Sequence, residues 1–372
     1  MNKKEVLEIR KQFTPENCAI TRICGCYVDH EKEKKTELKK AFLSMPEEEA
    51  FKYFDIFKHT LSGTLGKNLM NMEFPTEQEM PGGTQEFLLK LRDSKLTDDL
   101  LVEEFYDKVI DNYIYPENYY IILIHAVYDV PGKSSDGLEM FDASDTVYEH
   151  IMCSICPVNL TKAGLTYNAE TNNIEDRIRD WFVELPVKGF LFPAFNDRAS
   201  DLHGVLYYSK KPEELQPDFI ENVLGSQIPL TAKDQKASFQ TIISDTLGED
   251  CDYEVVRNIH DNLNEMIEEA KETPEPLELG KPEMKNLLAR SGASQEHLET
   301  FDEEFEEVIG EKQTLLATNI ASTKTFQIET PDIVLKVNPE RSDLVETREI
   351  DGRKCLVIPI DEHLEVNGIE VH

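Results

Sequence analysis

Three observations predict an α+β protein with a central mixed or antiparallel sheet flanked by helices, an acidic helical segment and a small C-terminal β unit. Apolar residues recur at helical spacing before Tyr113 and again after Pro212. Between Tyr119 and Tyr208 they form continuous or alternating β-prone runs, and residues 311–372 carry hairpin signals at Asp351-Gly352 and Asn367-Gly368. The expected regions are 1–115, a hairpin plus helices; 116–210, the sheet; 211–310, acidic helices; and 311–372, the terminal β unit.

Val6, Ile9 and Phe13 mark an opening helix that stops before Thr14-Pro15, because the residue before proline is pushed out of the α region. Cys18 to Val28, a polar turn at Asp29 to Glu33, and Thr36 to Phe42 read as a hairpin. Ser44 as cap, Pro46 at the first helical position and Glu47 to Glu49 in the first turn open a helix expected to bury Phe51, Phe54, Phe57 and Leu61. Helices over Gln85 to Asp93 and Asp98 to Tyr113 follow, the second capped by Thr97. Strands are expected over Tyr119 to Tyr128, Val147 to Ile155, Phe190 to Phe195 and Leu202 to Tyr208. After Pro212, Thr231 and Asp252 cap two helices, the second carrying Val255, Ile259, Leu263 and Met266 on one stripe. Gly292 stops a shorter helix and Ser294 starts another; the remaining strands are Thr325 to Ile328, Ile333 to Val337, Val345 to Ile350 and Lys354 to Ile360.

Lysine and arginine number 39 against 73 aspartates and glutamates, a formal net charge of -34. That excludes a generally basic phosphate binder and disfavours anionic membrane surfaces. No apolar run reaches the roughly 18 residues of a membrane span and the N-terminus lacks the pattern of a secretion signal, so a cytoplasmic location is expected. Seven cysteines are an odd number for a disulfide framework and are expected to be free thiols or metal ligands. The acidity is local: residues 241–310 hold 20 acids against five basic residues, whereas the first 40 residues hold ten basic residues against seven acids.

Several constellations are candidates for chemistry. Cys153 and Cys156 have metal-ligand spacing, and Cys18, Cys24 and Cys26 would complete a zinc thiolate site if the two strands lie side by side. Against this, residues three apart on a straight strand face opposite ways, and buried apolar thiols satisfy the same pattern. Asp201 and His203 at period two form a carboxylate–imidazole pair suited to general base or metal chemistry, with Asp197 and Arg198 beside them as a loop ion pair. His125 and Asp129 end an apolar strand nearby. Asp129, Asp136, Glu139, Asp142 and Asp145 offer oxygens to a hard cation, although their spacing fits no EF-hand and equally suits a solvated loop. Gly63 to Asn68 lacks the spacing of a phosphate loop. Arg177, Arg179 and Trp181 form a small basic-aromatic cluster.

The segments TPENCAITRICGCYVD, LSGTLGKNLMNMEFP, GGTQEFLLKLRDSKL, YDVPGKSSDGLEM, CSICPVNL, FLFPAFNDR and LVETREIDGRKCLVIPID together resemble a bacterial family grouped as a domain of unknown function, met mainly in anaerobic Gram-positive bacteria. The resemblance covers essentially the whole chain and implies a bacterial cytoplasmic protein without naming an activity, cofactor or catalytic residue. The layout of the last third to half is also similar to bacterial nucleoid-associated proteins of the topoisomerase-interacting kind, which implies a place beside DNA through protein contacts. The leading expectation is a non-catalytic interaction protein whose acidic helices meet a basic partner. The alternative is a metal-dependent hydrolase with its site near His125, Asp129, Asp201 and His203.

Overall fold

Strand Tyr119–Val130 is apolar on both faces, and the architecture of the first part of the chain follows from that. A computed structural model describes residues 1–133, 139–140, 146–310, 313–360, 364–366 and 368–371. The chain divides into two units, Met1–Thr231 and Ala232–His372.

The first unit contains α1 (Lys3–Arg10), β1 (Ile20–Val28), β2 (Lys34–Ala41), α2 (Glu47–Thr60), β3 (Leu69–Glu73), α3 (Thr84–Asp93) and α4 (Asp99–Asn112). These are followed by β4 (Tyr119–Val130), β5 (Thr146–Leu160), β6 (Lys188–Phe192), β7 (Gly204–Ser209) and α5 (Pro217–Asn222). An antiparallel sheet runs in the order β2-β1-β4-β5-β6-β7-β3, with Trp181–Val183 paired to the far end of β5. Strands from both of the first two expected regions therefore share one sheet.

Alternation divides the sheet residues between two cores. Tyr119, Ile121, Leu123, Cys153 and Ile155 face α3, α4 and α5 through Leu88, Leu91, Phe105, Val109 and Phe219. Ile122, Ile124, Ala126 and Met152 face α1 and α2 through Ile9, Phe54 and Phe57. Helices on both faces make three layers, so the central strands read as continuous apolar runs. Each fully buried large apolar side chain contributes roughly 1.5–3 kcal/mol.

Local details differ from expectation. Edge strand β3, pairing with β7, is missed because Leu69-Met-Asn-Met-Glu is poor in β-branched residues. Asp98 caps α4 by accepting from Leu100 and Leu101, while the Thr97 hydroxyl donates to the Ser94 carbonyl. The Ser44 hydroxyl donates to the Ala41 carbonyl, so it does not cap α2. Phe51 remains 47% exposed at the rim of α2.

The second unit begins with α6 (Ala232–Leu247), α7 (Tyr253–Glu269), β8 (Glu278–Leu279), α8 (Lys281–Arg290), α9 (Gln295–Val308), β9 (Leu315–Leu316) and α10 (Ala317–Ile320). Phe239, Ile242, Ile259, Leu263, Leu287, Phe301 and Phe305 are among its buried apolar residues. Asp252 caps α7 by accepting from Val255, and Ser294 caps α9, as the residue types at those positions require. Three separate hairpins follow: β10 (Phe326–Glu329) with β11 (Val334–Val337), β12 (Glu346–Ile350) with β13 (Arg353–Val357), and β14 (Leu364–Val366) with β15 (Ile369–Val371). Asp351 and Gly352 take φ of 51° and 74°, the left-handed pair that a two-residue hairpin turn needs. Among the described residues no helix is long and apolar enough to cross a membrane.

Candidate functional site

Strand order separates the four candidate catalytic residues. His125 and Asp129 lie on β4, His125 fully buried and Asp129 exposed. Asp201 and His203 lie just before β7, which is separated from β4 by β5 and β6. At about 4.8 Å per strand, β4 and β7 are on the order of 14 Å apart. Asp201 and His203 do not continue one strand, because the chain turns at Leu202-His203. One Asp201 oxygen accepts from the Asn196 amide at 2.6 Å, the other from the His203 backbone N–H at 3.0 Å. The exposed His203 ring instead meets Glu79 at 2.6 Å, and that carboxylate raises the imidazole pKa. Arg198 pairs with Glu8 at 3.0 Å, so the expected ion pair with Asp197 is replaced by a longer-range one.

His125 has two partners that its sequence neighbourhood does not announce. Its Nε2 is 2.8 Å from Glu149 Oε1 and its Nδ1 is 2.6 Å from the Thr21 hydroxyl. Thr21 sits where the register of β1 against β4 shifts between Ile20 and Arg22, so a bulge aims its side chain at the ring. Burial lowers the His125 pKa, with Glu149 partly opposing the shift, and the ring is neutral. Since a carboxylate only accepts, Nε2–H donates to Glu149, and Nδ1 accepts from the exposed Thr21 hydroxyl.

The structure does not gather the five candidate cysteines around one point. Cys24 and Cys153 each stand opposite Leu123, on either side of β4, and Cys156 belongs to the other core. Cys26 and Cys153 are buried in the first core, and Cys18 is only partly buried beside the second. Burial raises the Cys18 and Cys24 thiols, takes Cys26 to about 12 and lifts Cys153 and Cys156 higher still, which keeps them protonated. Among the described residues, the one group of three ligating side chains is Asp29, Glu31 and Glu33 in the β1–β2 turn. Lys35 already reaches Asp29 and Glu33 there. Asp136, Asp142 and Asp145 lie outside the described residues, as does the Glu139 side chain.

Two buried titratable groups escape sequence inspection altogether. His150 stacks on Tyr148, with ring centroids 4.5 Å apart. Neither of its nitrogens makes a well-formed hydrogen bond. Burial, with some help from His125, holds its pKa down at about 3, the Tyr148 backbone compensating only in part. Lys188 is also buried, and desolvation lowers its pKa to about 8. Its ammonium donates to Ser209 at 2.7 Å and to the Glu214 carbonyl.

The acidic segment lines one wall of a concave site. A cleft of about 520 Å³ lies between α7 and the 3-10 turn Pro339–Leu344. Asp261, Glu265, Glu268, Glu340 and Asp343 face it, against Arg341 as its one cation. Ser342 donates to Asp261 at 3.0 Å, pinning the turn to the helix. Asn264 lines the same cleft, and its buried Oδ1 has no hydrogen-bond partner. The five basic residues of 241–310 are already committed: Arg257 to Glu254, Lys271 to Glu268, Lys281 to Glu306, Lys285 to Asp302 and Arg290 to Glu265. On α9, Glu296, Glu299, Glu303 and Glu307 are exposed opposite the buried Phe301 and Phe305. Such a surface can receive guanidinium or ammonium groups.

A family model described as a domain of unknown function matches residues 1–369. No curated protein matches the chain.

Proposed function

The chain belongs to the DUF4317 family, and from that premise we propose a non-catalytic interaction protein of the cytoplasm that receives a basic segment of a partner protein in the acidic cleft of its second unit. The observation that carries this reading is the cleft itself: five carboxylates line it, of which Asp261 and Glu340 have no lysine or arginine within 3.5 Å, while Glu265, Glu268 and Asp343 also meet Arg290, Lys271 and Arg341. Complementary charge would speed encounter and select basic partners, and the effect weakens as salt screens it. A nucleoid-associated role is the narrower form, in which the basic partner is a DNA-bound protein. Capture from native lysate, split into nuclease-treated and untreated halves, tests it. A basic protein retained by the wild type is expected to be lost by a variant carrying Glu265→Gln, Glu268→Gln, Glu340→Gln and Asp343→Asn. Retention of the same proteins by both forms contradicts the reading.

The Thr21–His125–Glu149 chain favours a second reading, acyl-group hydrolysis without a metal. Thr21 Oγ1 would attack an ester carbonyl as its proton passes to His125 Nδ1, which then protonates the departing alcohol; water would later release the acyl group by the reverse proton path. A fluorophosphonate probe is expected to label Thr21 in the wild type and not in Thr21→Val. Labelling equal in both, or absent from both, contradicts this reading.

A further inference from the structure

Residues 232–372 hold 33 aspartates and glutamates against 14 lysines and arginines, so a lysine of the second unit readily finds an acid. Lys271, Lys281 and Lys285 each do so. Lys236, Lys324 and Lys336 do not: among the described residues none of them makes an ion pair, and all three line two adjoining concavities. Lys236 and Gln240, four apart on α6, share a face of that helix. In the hairpin beside it the register puts Gln327 of β10 opposite Lys336 of β11, and Thr325, two residues before Gln327, falls on the same face. Helix and hairpin enclose about 540 Å³, closed by Ser322 and Glu329. Thr325 and Lys336 also line a second space of about 400 Å³, with Thr323, Lys324 and Asn338. The two therefore form one trough, with Lys236 in one half, Lys324 in the other and Lys336 shared.

We propose that this trough binds the diphosphate group of a small molecule that carries no aromatic base. An ammonium is a point-charge donor suited to phosphate oxygens, and the hydroxyls of Ser322, Thr323 and Thr325 with the amides of Gln240 and Asn338 add neutral donors. Glu329 is the one carboxylate in the walls, and it already accepts from the Gln327 amide at 3.1 Å. Three ammonium groups less one carboxylate leave the walls at +2, inside a unit that is strongly negative. A single phosphate fills one half of the trough, whereas two joined phosphates reach the ammonium groups of both. No aromatic ring lines either half and Val337 is the one apolar wall residue, so a nucleobase has nothing to stack on. The acidic cleft adjoins the trough at Thr323, yet none of its carboxylates lines it. At about 0.15 M salt charges beyond roughly 8 Å are screened, so the walls outweigh the net charge of the chain.

Calorimetric titration of inorganic pyrophosphate into the full chain, at about 0.15 M salt and free of divalent cations, tests the proposal. The wild type is expected to bind at a single site. The variant with Lys236→Gln, Lys324→Gln and Lys336→Gln, at exposed positions, is expected to keep the wild-type circular dichroism. Its affinity should fall by about tenfold or more, because three charge-assisted hydrogen bonds are lost. A control with Lys40→Gln, Lys52→Gln and Lys162→Gln removes the same charge from exposed positions of the first unit and should bind like the wild type. Adenosine diphosphate should bind no tighter than pyrophosphate. The trough variant should still bind a basic peptide, and a variant neutralised in the acidic cleft should still bind pyrophosphate, so the two sites fail separately. No binding of pyrophosphate by the wild type overturns the proposal, as does equal weakening in the trough variant and the control. Tighter binding of adenosine diphosphate overturns the assignment to a base-free ligand.

Discussion

Gly189→Ala is expected to destabilise the first unit by more than about 2 kcal/mol, the upper range of overpacking. Gly189 lies in β6 between Ser154 of β5 and Tyr208 of β7. A Cβ added there would lie 2.4 Å from the Cys153 carbonyl oxygen and 2.6 Å from Thr60 Cγ2. The carbonyl belongs to the sheet and cannot withdraw without parting β5 from β6. The methyl belongs to α2, which reaches the sheet here through the Thr60 hydroxyl, 2.7 Å from Ser154 Oγ. Bare backbone at 189 is therefore what lets helix and sheet close at this point. Urea unfolding checks the prediction, and the double variant with Thr60→Ser separates the two contacts. Serine removes the methyl and keeps the hydroxyl, so part of the loss should return, with the remainder assigned to the carbonyl. Wild-type stability in Gly189→Ala would show that the layers are not packed as described.

His150→Phe is expected to remove about 2 kcal/mol of acid sensitivity between roughly pH 8 and pH 5. In the folded chain burial keeps this imidazole neutral down to about pH 3. In the unfolded chain it protonates near the ordinary value of about 6.5. Between those values the unfolded chain binds a proton that the folded chain refuses. Stability is thus full above about pH 6.5 and falls by about 1.36 kcal/mol per pH unit as pH drops toward 3. Phenylalanine keeps the stacking on Tyr148 and removes the titration. His125, His59 and His260, lowered in the same direction by burial, remain in both proteins and cancel in the comparison. Urea titrations of both proteins at the two pH values decide the matter. An equal loss in wild type and variant contradicts the assignment of the effect to His150.

Elements buried on both faces were legible in the sequence. The apolar run of β4, for example, has to be covered from both sides. Of the two edge strands, β2 was legible through its hairpin turn, whereas β3 was not, because it is specified by its pairing with β7 more than by its own composition. The hairpin of Leu165–Asn168 with Asn173–Asp176 was hidden for the opposite reason: its apolar residues are exposed and do not point to a core. Among the site residues, the opposed faces of Cys153 and Cys156 followed from strand period alone. The meeting of Thr21 with His125 did not, because a bulge leaves no periodic trace. Asp201 and His203 misled through period two, since the chain turns between them. The acidic segment was visible as a charge count. Its cleft was not, since Glu340 to Asp343 join α7 from about eighty residues away along the chain.

The most direct measurement is calorimetric titration of an arginine- and lysine-rich peptide into three proteins over a range of salt. These are the wild type, the cleft variant with Glu265→Gln, Glu268→Gln, Glu340→Gln and Asp343→Asn, and a control of equal charge. The control, with Glu48→Gln, Glu77→Gln, Glu117→Gln and Glu213→Gln, neutralises four exposed acids of the first unit. Wild-type affinity is expected to fall as salt rises, the cleft variant to bind roughly tenfold more weakly, at a few tenths of a kcal/mol per charge, and the control to match the wild type closely. Equal weakening in the cleft variant and the control would mean that the peptide reads net charge alone, and would contradict the cleft as the receiving site.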